Sequence, residues 1–175
     1  VMGVAIGAFT GDETLTHVVI PEGMTVIGDS AFSRCNRLVS VELPTTVQTL
    51  NRALFEGCFR LTSVNLPEGI TSIPDSLFSG CSSLKSITIP STVTSIGESA
   101  FSGCTALAQI LVSHSIPDVT VPDSTESTTE STTVPEPAPV NEHPAQNQLP
   151  AGLTDIGAYA FSGCTALTTI GINEG

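Results

Sequence analysis

Cysteines, histidines and paired acids are the groups in this chain that could bind a metal, form a bridge or attack a substrate. Cys35, Cys58, Cys81 and Cys104 are each 23 residues apart, and Cys164 follows at a longer interval. Structural metal sites need donors clustered within a few residues, whereas here each repeat supplies one thiol. Disulfides between neighbouring layers are conceivable at the roughly 5 Å spacing of paired strands. An odd count forbids full pairing, however, and cysteine packs readily as a small buried apolar group. A column of reduced thiols in a core is the expected arrangement. His17, His114 and His143 are scattered, with no serine or cysteine nucleophile placed beside them by a known motif. Asp12 and Glu13 fit a solvated turn, and no calcium-loop spacing follows them. The expectation is therefore no catalytic residue, no cofactor and no metal: the chain is not an enzyme.

Charge narrows the partners. Seventeen acids against five bases give a net charge of −12, and the bases end at Lys85. Nucleic acid is excluded, because phosphates must be neutralised by Lys and Arg. Anionic membrane surfaces are disfavoured for the same reason. No apolar run approaches the roughly 20 residues that span a bilayer, so no membrane insertion is expected. No basic start followed by an apolar stretch marks a leader, and the chain is expected to be a piece of a longer array.

The elements that carry these residues follow a strict period. Pro21, Pro44, Pro67 and Pro90 are 23 residues apart; so are Phe9, Phe32, Phe55, Phe78 and Phe101, and Leu15, Leu38, Leu61, Leu84 and Leu107. A sixth copy holds Phe161, Cys164 and Leu167. Within a unit, Leu84-Lys85-Ser86-Ile87-Thr88-Ile89 alternates apolar and polar residues, the period of a half-buried strand. Pro90 ends it, having no N–H for a ladder. Val93 and Ile96 point inward, Gly97 turns the chain, and Glu98-Ser99-Ala100-Phe101 resembles a short helical turn. One coil cannot bury its few apolar side chains alone; stacked coils share a continuous core.

If Val41 and Leu43 face that core, the alternate positions face out. The candidate binding face is then His17 and Val19, Ser40 and Glu42, Ser63 and Asn65, Ser86 and Thr88, Gln109 and Leu111, and Thr169 and Gly171. This is a shallow trough of mostly small, neutral side chains, suited to a protein or a glycan, or merely to solubility. Arg34, Arg37 and Arg60 follow the Phe–Cys segments instead, on the opposite side, either solvated or forming a contact patch for an acidic partner.

The period breaks once. Phe101 and Phe161 are 60 residues apart, not 23, and the excess falls at 113–149. This Ser/Thr/Pro/Glu-rich stretch cannot bury enough surface to offset its ordering entropy and is expected to be disordered. It fits an entropic insertion, a glycosylated or recognition loop, or a further ordered element. The chain thus divides into repeats one to five at 1–112, the insertion at 113–149, and a sixth repeat at 150–175.

These units, among them IPEGMTVIGDSAFSRCNRLVSVEL and LPEGITSIPDSLFSGCSSLKSITI, resemble the BspA-type leucine-rich repeat family. The departures are Asp12 in place of Cys, Leu54 and Leu77 in place of Ala, Pro74 in place of Gly, and Asn173 in place of Pro. The fold expected is an α/β solenoid, a right-handed leucine-rich repeat array of about six coils. It would carry a parallel β-sheet on its concave face and short helical or 3-10 turns on its convex face. The resemblance implies a surface or secreted protein, often adhesive, with no catalytic residues to carry over. An intracellular or organellar assembly stays open, as does a role as a structural spacer or accessory scaffold subunit.

Overall fold

The structure, a computed structural model, describes residues 2–113 and 147–172. Of the insertion expected to be disordered, residues 114–146, with His114 and His143, lie outside that range, whereas Ser113 and Asn147–Leu149 lie within it. The apolar–polar alternation does form strands that stack in parallel. β1 is Met2–Val4, β2 His17–Val19, β3 Met24–Ile27, β4 Ser40–Glu42 and β5 Ser63–Val64. β6 is Ser72–Ile73, β7 Ser86–Pro90, β8 Ser95–Ile96, β9 Gln109–Ser113 and β10 Asp155–Ile156. Strands fall in two series, one before the prolines and one after them. The first series pairs β2–β4–β5 and β7–β9; the second pairs β1–β3 and β6–β8–β10. Partners match at one period, as in His17 with Ser40, Ser40 with Ser63, and Ser86 with Gln109. A solenoid results, with every inward side chain resting on its own counterpart.

The second series is interrupted at the third coil for a reason visible in the side chains. Gly97 N–H donates to Ile73 O, and Gly157 N–H to Ile96 O, both at 2.7 Å. At the equivalent positions stand Asn51 and Pro74. Proline has no N–H to offer. Asn51 reaches the carbonyl of Ile27 with its side-chain Nδ2 instead, a substitute that keeps the acceptor satisfied without extending the strand.

Between Pro and the next Leu the chain forms turns, not the helical or 3-10 segments that the sequence suggested. The correction has a clear cause. Ser30, Ala53, Ser76, Ser99 and Tyr159 all take positive φ, which breaks a right-handed helical run. Alternate N–H groups are then spent between coils: Phe32 to Leu54 O, Phe55 to Leu77 O, Phe78 to Ala100 O and Phe101 to Ala160 O, at 2.8–3.1 Å. Intervening N–H groups bond three residues back within the coil, as Cys58 does to Phe55 O. A third ladder therefore takes the donors that an α-helix would use internally.

Phe, Cys and Leu columns run through the single core. Six phenylalanines stack face to face, with centroids 5.3–6.0 Å apart from Phe9 to Phe161. All five cysteines are free and buried. Each Sγ donates to the phenylalanine carbonyl of the preceding coil, at 3.1 Å for Cys58 to Phe32 and 3.2 Å for Cys81 to Phe55. Burial, followed by the neighbouring thiols of the column, pushes Cys58 and Cys104 up to about 12 and Cys81 well above its ordinary range. A raised pKa empties the thiolate form at neutral and mildly alkaline pH, and the thiolate is the reactive species. Ellman's reagent at pH 8 should therefore leave the folded protein unlabelled and titrate five thiols once guanidinium unfolds it. Rapid release from the native state would show that the column is open to solvent.

Candidate binding surface

The strand series that precedes the prolines presents the candidate residues. Ser86, Ile87, Thr88 and Ile89 alternate exposed and buried, and so do Gln109, Ile110 and Leu111. His17, Glu42, Ser63, Asn65, Ser86, Thr88 and Gln109 are exposed, and Ser40 is half-buried. Val19 and Leu111 are the apolar members, 67% and 40% exposed. Register brings Val19 beside Glu42, and Thr88 beside Leu111. A shallow depression forms over Ser40, Glu42, Ser63 and Asn65.

Two asparagines have structural work that the spacing of residues did not assign. Asn65 accepts a hydrogen bond from Leu43 N–H through Oδ1 and donates from Nδ2 to Leu43 O, both at 2.9 Å. Its amide behaves as an extra peptide unit and continues the ladder beyond β5. Asn147 does the same at the end of the insertion. Its Oδ1 accepts from Ile110 N–H, and its Nδ2 donates to Ala108 O and Thr169 O, at 3.0–3.1 Å. Gln148 then bridges in parallel to Gly171, and Leu149 is buried in the core. Elsewhere one coil bonds the next directly, as Ala108 N–H does to Lys85 O. Here Asn147–Leu149 lies between the fifth and sixth coils as an added rung. Gly171 therefore adjoins Gln148, not Leu111, and Thr169 O is held by Asn147.

The paired acids do different things. Asp12 Oδ1 accepts from Thr14 Oγ1 and N–H at 2.7 Å and from Leu15 N–H at 3.0 Å. The Thr14 hydroxyl and these amides hold its carboxyl below the usual range. Asp12 is thus a turn cap, while Glu13 is exposed. Among the described residues no three His, Cys, Asp or Glu side chains gather into a metal-binding group. None of their helices is long and apolar enough to cross a membrane.

One small rung per strand, a proline stop and columns of Leu, Phe and Cys repeating at a constant period define a leucine-rich repeat solenoid. The chain belongs to the BspA-type leucine-rich repeat family, whose model matches in six copies over residues 4–125 and 144–175. A leucine-rich cell-surface protein of Faecalibacterium prausnitzii is similar at 30% identity and TM-score 0.66, over 91% of this chain and 32% of its own. A leucine-rich repeat protein of Bacteroides ovatus gives 27% and 0.65, over 89% of this chain and 33% of its own. A leucine-rich repeat protein of T. pallidum gives 26% and 0.63, over 89% and 58%. The chain spans about a third of the first two relatives. No curated protein matches it.

Proposed function

We propose that the chain is a non-catalytic interaction or adhesion module of a surface or secreted protein, binding a protein ligand through the outward face of its proline-preceding strands. The observation that carries this reading is the register itself. His17 to Ser63 form three outward rungs in paired register and Ser86 to Leu111 two more, and among the described residues, apart from Asn65, their side chains make no hydrogen bond to another coil. The cell-surface relative supports the placement, and a glycan is the other ligand that such a shallow trough suits.

Arginine at Glu42, Ser63 and Thr88 tests it. These side chains are exposed, and substitutions at such positions usually alter stability by no more than about 0.5 kcal/mol. Asn65 is left intact because its amide is structural. In a pull-down from the native source, a ligand captured by the wild type should be lost by the triple variant while the melting temperature holds. Equal capture by both would refute the strand face as the site. The alternative, a structural spacer or scaffold subunit, is favoured by the absence of Tyr, Trp and Arg anchors from this face. It predicts no ligand specific to either form.

A further inference from the structure

Gly11, Gly57, Gly80, Gly103 and Gly163 occupy one register position in five coils, all with φ of 71–77°. The remaining coil places Arg34 there, at φ 59°. Left-handed backbone is natural to glycine and costly for a long side chain. A residue held in such strain where its counterparts avoid it points to a use for its side chain. Arg34 is exposed. Its stem lies across Gly57 of the next coil, where an added Cβ would come within 3.3 Å of Arg34 Cγ. Phe59 lies similarly against Gly80, 3.9 Å from the Cβ position, and is 52% exposed. Arg37 and Arg60 share one register on these same two coils, where the other copies carry Thr14, Ser83, Ala106 and Ala166.

Three of the five bases therefore stand on the two neighbouring coils of which one carries the exposed Phe59 ring. Arg52 stands instead between Asp29 and Asp75 in its own register, and Lys85 belongs to the fourth coil. The nearest acids by register are Glu13, one position from Arg37, and Asp12 and Glu56, each one position from Arg34 on the coil before and the coil after; Asp12 Oδ1 is taken up by Thr14 and Leu15. No ion pair links the three arginines to an acid among the described residues. In a chain of net charge −12, three of the five bases thus stand on two adjacent coils without a side-chain acid partner among the described residues.

We propose that Arg34, Arg37, Arg60 and Phe59 dock an acidic peptide segment of a protein partner, at a surface separate from the strand face. Guanidinium forks take carboxylates bidentately, and Phe59 offers an adjacent apolar contact. Arginine with an exposed aromatic is the composition of protein-interface anchors. A purely electrostatic polyanion site would have no use for the ring.

The repeat supplies its own conservative replacements: glycine at 34 as in five coils, and serine at 59 and 60 as at Ser82 and Ser83. The probe is a fluorescein-labelled peptide of glutamates interspersed with leucines, followed by anisotropy. Wild type should bind in a salt-sensitive manner. Arg34→Gly and Arg60→Ser should each weaken binding by about tenfold or more, the loss of one charge-assisted contact. Phe59→Ser should weaken it too, and Arg34→Gly should melt no lower than wild type. The proposal is overturned if wild type does not bind, or if Arg34→Gly binds equally well. It also falls if dextran sulfate binds, the peptide does not, and Phe59→Ser leaves that binding unchanged. That last pattern would mark a reader of sulfated polymers.

Discussion

Phe78→Ala should lower stability by about 3–5 kcal/mol, the usual cost of removing a buried aromatic that its surroundings cannot replace. Phe78 is fully buried. Its ring lies between Phe55 at 5.7 Å and Phe101 at 5.5 Å. Collapse is restricted because the main chain on either side is tied to its neighbours: Phe78 N–H bonds Ala100 O at 2.8 Å, and Phe55 N–H bonds Leu77 O at 3.0 Å. The backbone cannot move inward without breaking rungs. Urea or thermal unfolding measures the effect, and a fall of the melting temperature on the order of 10 °C is expected. Phe9→Ala provides the comparison. Phe9 is 41% exposed and stacks on one ring only, so its loss should be clearly smaller. Equal losses at the two positions would mean that the column is not a cooperative spine.

Glycine substitutions should give effects of opposite sign depending on what the missing Cβ would meet. At Gly97 a methyl would sit 2.5 Å from the backbone nitrogen of Asp75 and 2.7 Å from the carbonyl carbon of Pro74. These are main-chain atoms of the preceding coil and cannot swing aside. Gly97→Ala must push two coils apart, straining the Gly97 N–H bond to Ile73 O and the 2.8 Å bond from Glu98 N–H to Asp75 Oδ1. Overpacking together with weakened hydrogen bonds is expected to cost about 3 kcal/mol. Gly152 has nothing within 4 Å of its Cβ position and no positive φ. Gly152→Ala should therefore gain about 0.4–1 kcal/mol by restricting the unfolded chain. Denaturant midpoints for both variants decide the matter, and destabilisation by Gly152→Ala would mean that the space around residue 152 is not open.

Most of this architecture could be read from residue spacing because a stacked repeat writes its contacts at a fixed interval. The Phe, Leu and Cys columns needed only the period and the tendency of such side chains to be buried. Strand faces followed from alternation, as at Ser86-Ile87-Thr88-Ile89. The convex turns were misread because Glu98-Ser99-Ala100-Phe101 has acceptable helix residues. What decided against a helix was the positive φ of Ser99 and the partner offered by the next coil, and neither shows in a single unit. Asn65 looked like one more outward polar residue; only the position of Leu43 reveals that its amide serves as backbone. Arg34 was the reverse case. Its signal, a long side chain in a column of glycines, was present in the aligned repeats, but its weight depends on the conformation.

The rung added by Asn147–Leu149 affects how the last coil sits. On the phenylalanine side the fifth and sixth coils meet at 5.3 Å, as do Phe9 and Phe32 at the other end. On the opposite side an extra segment separates them, and one strand spacing is about 4.8 Å. Elsewhere at this boundary the two coils meet directly, β8 pairing with β10 and Phe101 stacking on Phe161, so the segment is a shim confined to the proline-preceding strand face. Gly171 therefore docks on the returning end of the insertion, and the last coil is joined to the array on that face through Asn147–Leu149.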